Sequence, residues 1–134
     1  MPGKVFIDSN VVIYSVGQAS TKAQIAAPLF VGTPSISTQV ISETANVASR
    51  RLGLSVSEVR RLVVWLEAMC TVEIITLETI HLALDIRERY GFSWYDGLIV
   101  ATALMADCDH LYSEDMQHGQ VILGRLMIVN PFVR

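Results

Sequence analysis

The chain has 134 residues, of which 51% are hydrophobic and 17% charged, and its formal net charge is −3. A chain of this length buries about two-thirds of the surface it exposes on unfolding, so it can fold as one domain without staples, and its composition excludes disorder over most of its length. The acidic balance excludes a broad basic nucleic-acid surface but not a nuclease, whose clustered carboxylates sit behind divalent cations.

In chain order, Lys4-Val5-Phe6-Ile7 reads as a buried strand that ends at Asp8. Asp8-Ser9-Asn10 reads as a turn and N-cap, opening a short helix over 11–16. A helix is expected over 21–30, with Pro28 near its end, and a short strand at Ser35-Ile36-Ser37. From Thr38, the apolar residues Val40, Ile41, Val47, Ala48 and Leu52 recur at helical spacing until Gly53. Ser55-Val56-Ser57-Glu58 is a capping box, and the helix it opens runs through Val59, Leu62, Val63, Leu66 and Met69. A β-branched strand over 71–76 precedes a helix closed by Gly91. Ser93 caps the next helix, whose stretch 98–106 is apolar on all sides and therefore central. Strands at 110–112 and 126–129 complete an α/β pattern with a short, mostly parallel sheet, a single domain over residues 1–134.

Cys70 and Cys108 are too few for a disulfide framework and lack zinc-finger partners, so they are expected to be buried thiols in a reducing compartment. The first apolar run breaks at Asp8, unlike a secretory signal, and the block 98–106 is shorter than the ~20 residues a bilayer requires. A soluble, cytoplasmic protein without membrane contact is expected.

Ligands of an open parallel sheet bind beyond the carboxyl ends of its strands. Asp8 ends the first strand, Glu43 lies early in the helix after the second, Asp96 lies in the first turn of the central helix, and Asp115 follows the strand ending at Tyr112. Each alone has a plainer reading: a turn, a solvated helix residue, a capping acid, an exposed loop. Together they form an acidic site whose mutual repulsion a hard divalent cation relieves, and such an ion supports phosphodiester hydrolysis.

The segments VFIDSNVVIYS (5–15), SISTQVISETANV (35–47), SWYDGLIVATAL (93–104) and LYSEDMQHGQ (111–120) span nearly the whole chain. With them the sequence resembles the PIN-domain ribonucleases, most closely the VapC toxins of type II toxin–antitoxin systems. The resemblance implies a small parallel sheet sandwiched by helices and a Mg²⁺- or Mn²⁺-dependent endoribonuclease cutting single-stranded or looped RNA. Asp8, Glu43, Asp96 and Asp115 match the family's acidic quartet. Asp8 and Asp96 match its usual direct metal ligands, and Asp115 is assigned to the metal with them. The resemblance also places Asn10 near the metal water and Asn46 after Glu43 as in many relatives; Asn46 reads equally as a polar helix-surface residue. The S-E-D register favours Asp115 over Glu114 for the site, and His118 is not counted as catalytic.

Eight of the ten basic residues are Arg. Arg50-Arg51, Arg60-Arg61, Arg87 and Arg89 read either as solvated helix ends that complement the dipole or as a rim that attracts RNA. Trp65, beside an apolar stripe, is expected at an oligomer or partner surface. The resemblance implies a homodimer and a small cognate antitoxin. The alternative function is a catalytically silent PIN-like module that binds RNA or protein, for which loss of one quartet acid would be the sign. A receiver-like domain would need a Lys after the last strand, where Asn130-Pro131 stands, and Asp8-Ser9-Asn10 does not fit a D-x-D phosphohydrolase.

Overall fold

The computed structural model describes residues 3–133. Strand β1 (Val5–Ile7) sends Phe6 and Ile7 into the core. Asp8 stays extended and caps helix α1 (Ser9–Val16) with its own carboxylate, which accepts from Ser9 N at 2.7 Å. The helix therefore starts at Ser9 rather than Val11. Helix α2 (Thr21–Ala26) is capped by the Ser20 hydroxyl. It tightens into a 3-10 turn over Ala27–Phe30 instead of continuing as an α-helix, because Pro28 has no N–H to donate.

β2 (Ser35–Ser37) runs directly into α3 (Thr38–Arg50), whose first turn is held by the Ser37 hydroxyl accepting from Val40 N at 3.1 Å. Helix α4 (Val56–Met69) begins with the reciprocal Ser55–Glu58 capping box. β3 (Thr71–Glu73) is shorter than the expected 71–76 because three-residue β2 offers no partner beyond Ser37, which pairs with Glu73. Thr76 instead caps α5 (Leu77–Tyr90), which Gly91 closes in the left-handed conformation at φ 77°. Helix α6 (Trp94–Met105) buries every residue from Gly97 to Leu104. It packs so closely on α5 that a Cβ at position 97 would lie 2.8 Å from Arg87 Cγ.

β4 (His110–Tyr112), β5 (Val121–Ile122) and β6 (Leu126–Val129) complete one sheet in the order β3-β2-β1-β4-β6-β5. Every pairing is parallel except β5 with β6. Phe6, Ile7, Val12, Ile36, Leu66, Ile99, Leu111 and Ile128 belong to one continuous core between the sheet and its helices. Cys70 and Cys108 are free and buried, and burial pushes both thiols up to about 11. Among the described residues no helix is long and apolar enough to cross a membrane.

Candidate active site

The parallel ladder carries past the strands at one edge: Asp8 N donates to Tyr112 O at 2.9 Å and Ser113 N to Val129 O at 3.0 Å. At this edge the chain leaves β1 into α1, β2 into α3, and β4 into the loop 113–115. Asp8, only 4% exposed, is held from both sides. One oxygen accepts from Ser9 N, and the other accepts from the Ser113 hydroxyl at 2.8 Å. Ser113 Oγ also accepts from Asp115 N at 3.3 Å, so a single hydroxyl ties the β1 acid to the loop after β4.

Asn10 fastens the same loop with both ends of its amide. Its Nδ2 donates to Asp115 Oδ2 at 2.9 Å, and its Oδ1 accepts from Glu114 N at 3.2 Å. Glu114 turns the opposite way, accepting from the Tyr14 hydroxyl at 2.9 Å and pairing with the Lys22 ammonium. That ammonium lies 4.8 Å from the Tyr14 ring centroid and 5.3 Å from that of Phe132. On α3, Gln39 Nε2 donates to Glu43 Oε1 at 3.1 Å and reaches Tyr95 O at 3.4 Å, linking α3 to the start of α6. Ser93, not Asp96, supplies the cap of α6, accepting from Asp96 N at 3.3 Å.

The electrostatics link these acids. Burial pushes Asp8 up to about 6, against its hydrogen bonds from Ser113 and Ser9, and the charges of Asp96 and Glu43 push in the same direction. Glu43 is raised by burial and by Asp96 and Asp115, against hydrogen bonds from Gln39 and Ser9. Asp96 is raised by burial and by Asp115, partly offset by Ser93. Among the described residues none of Asp8, Glu43, Asp96 and Asp115 has a basic ion-pair partner. Nor do any three His, Cys, Asp or Glu side chains close into a metal cage there. Uncompensated, hard carboxylate oxygens fit Mg²⁺ or Mn²⁺, which keep several waters and take one or two protein carboxylates directly.

The sequence reading passed over Ser113, Gln39, Tyr14 and Lys22. Gln39 carried a signal, the i, i+4 spacing to Glu43. His118 has a structural bond, its Nδ1 accepting from Asn130 N at 3.0 Å. Asn46 lies exposed on α3, Arg87 is tied to Phe92 O at 3.0 Å, and Trp65 packs on Phe30 while 40% exposed.

With these acids at the carboxyl edge of a five-strand parallel array, the sequence matches the PIN domain over residues 5–121, and the chain belongs to that family. No curated protein matches the sequence. Several solved structures share the fold, among them the following. A toxin–antitoxin complex from Klebsiella pneumoniae is 19% identical with TM-score 0.74, covering 97% of this chain and 98% of that one. VapC20 from Mycobacterium tuberculosis, described as a toxin cleaving the sarcin-ricin loop, is 19% identical with TM-score 0.69 over 84% of this chain and 90% of its own. FitAcB from Neisseria gonorrhoeae is 15% identical with TM-score 0.69 over 95% and 97%.

Proposed function

We propose that this PIN domain is a divalent-metal-dependent endoribonuclease of the VapC toxin type, hydrolysing RNA phosphodiesters. What supports the reading is one arrangement: four carboxylates at the starts of α1, α3 and α6 and in the loop after β4, each raised by or raising another, among the described residues without a basic partner. Asp8, Asp96 and Asp115 are the residues that would hold Mg²⁺ or Mn²⁺, directly or through water. A bound divalent ion supplies an activated water and neutralises charge that develops on phosphate oxygens. Glu43, which accepts from Gln39 through Oε1, is the residue that would take the proton of an attacking water. Ser113 and Asn10 fix Asp8 and Asp115 relative to each other.

The relatives that are toxin–antitoxin complexes support a second part of the reading, a cognate antitoxin that keeps the protein silent, and the exposed Trp65 supports a homodimer. All four acids are present, which favours an enzyme over a silent binding module. The test is cleavage of a labelled structured RNA by the purified protein with Mg²⁺, with Mn²⁺ and with EDTA. Cleavage only with a divalent ion is expected, and growth arrest on expression should be relieved by coexpressing the neighbouring antitoxin gene. Folded protein that cuts no RNA and spares growth would leave the binding-module reading in its place.

A further inference from the structure

We propose that Asn46, Arg50 and Arg51 form a phosphate-binding subsite that grips the RNA strand about three stacked nucleotides from the acidic centre. The inference rests on the reading of that centre as a phosphodiester site and assigns the substrate's path across it.

The helical period aligns the residues. Gln39, Glu43, Asn46 and Arg50 are spaced by four, three and four positions, so they form one stripe along α3. The stripe begins at Gln39, which holds Glu43, and ends at the exposed Arg50. Seven residues separate Glu43 from Arg50, a rise of about 10 Å, which is the length of about three stacked nucleotides at ~3.4 Å each.

The end of the stripe is concave. Asn46, Val47, Arg50 and Arg51 line a hollow of about 340 Å³. Arg51 is shared with a second hollow of about 280 Å³ that reaches Gly17 and Gln18 after α1. A groove therefore runs between the ends of α1 and α3. Its cations are uncommitted: Arg125 pairs with Asp107, Arg87 holds Phe92 O and Arg61 holds Ser57, but among the described residues Arg50 and Arg51 meet no carboxylate. Two planar forks beside an exposed amide suit the oxygens of a phosphodiester. Complementing the helix dipole would account for the charge of both Arg50, in the last turn, and Arg51, at the C-cap. It does not account for the stripe leading from Glu43 or for the hollow they line with Asn46. An acidic polypeptide is the competing occupant, and the continuity with the phosphodiester site favours RNA.

The test compares wild type with Arg50→Ala/Arg51→Ala by fluorescence anisotropy. The probe is a fluorescein-labelled, mixed-sequence 12-nucleotide single-stranded RNA in EDTA, between 50 and 200 mM NaCl. Releasing counterions from two phosphates contributes about 1.4 to the slope of log K against log salt, and about 25-fold in Kd at 0.1 M salt. The double variant should lose both, and Arg50→Lys/Arg51→Lys should keep the slope while binding more weakly. Lys4→Ala/Arg125→Ala removes the same charge just before β1 and β6, outside the hollow of Arg50 and Arg51, and should keep the wild-type slope. An Arg50→Ala/Arg51→Ala protein with the wild-type slope would overturn the proposal, as would an equal loss in the Lys4/Arg125 pair. A fluorescein-labelled hexaglutamate that needs Arg50 and Arg51 while RNA does not would give the groove to an acidic polypeptide. If the wild type binds RNA through the arginines yet never cleaves it with Mg²⁺, the subsite stands and the nuclease reading falls. If it cleaves with Mg²⁺ and the double variant binds normally, only the subsite falls.

Discussion

Asp8→Asn should stabilise the metal-free protein while destroying the site. Asp8 is 4% exposed, so its raised pKa carries over to stability with little solvent screening. The rise from 3.8 to about 6 corresponds to about 3 kcal/mol against the ionised carboxylate in the folded chain. Below pH 3.8 both folded and unfolded chains hold the proton and there is no penalty. Between 3.8 and 6 the unfolded chain ionises first, so the folded state loses stability as pH rises, and above 6 the whole penalty applies. The amide keeps an oxygen for Ser9 N and can donate to Ser113 Oγ, which accepts in place of donating. It gives up a charge at the start of α1, a loss of about 0.3–1 kcal/mol. The net gain above pH 7 is about 2 kcal/mol, or roughly 5–10 °C in Tm for a chain of this size. Melting followed by circular dichroism in EDTA, at pH steps from 4 to 8, should show the two proteins converging near pH 4, separating as pH rises to about 6, and keeping a constant difference above it. Saturating Mg²⁺ should then raise the wild type, by about 2.7 kcal/mol at a hundred times Kd, and leave the variant unmoved. A variant melting at or below the wild type at pH 7.5, or a difference independent of pH, would refute this account of Asp8.

Asp96→Asn should leave α6 folded, because Ser93 provides its cap, and should lower Mg²⁺-dependent RNA cleavage by roughly 10²-fold or more, read on a denaturing gel. Asn10→Ala removes both bonds that fasten Asp115 and Glu114, and should weaken Mg²⁺ binding roughly 10–100-fold, measured as the shift in melting temperature with added ion. Lys22→Met frees Glu114 and should act in the same direction but less, with Lys22→Arg restoring the wild-type response.

The elements that pack by period were legible. The Ser55–Glu58 capping box and the all-apolar stretch after Asp96 each carry their signal within a few residues. Local pattern also placed Asp8 at the end of β1 and Asp115 after β4, because strand ends are local features, and Glu43 and Asp96 early in α3 and α6. What escaped depends on distant partners. β5 is two residues long and exists because β6 lies beside it, and the end of β3 is set by the length of β2. Ser113 meets Asp8 across 105 positions of sequence, and Lys22 meets Glu114 across 92. A hydroxyl or an ammonium that looks ordinary in its own neighbourhood gives no sign of such a bond.

The position of β6 has a consequence for a chain emerging from the ribosome. Residues 126–129 form an interior strand between β4 and β5, and Val129 O receives the N–H of Ser113, the residue that ties Asp8 to the acidic loop. Synthesis delivers β1 first and β6 more than a hundred residues later, and domains complete only when their non-local strands are in hand. Until residue 129 has left the tunnel, β4 has an open flank and the Ser113 clasp lacks its backbone anchor. A chain that stops before β6 therefore carries all four acids while Ser113 lacks the backbone bond to Val129 that anchors it.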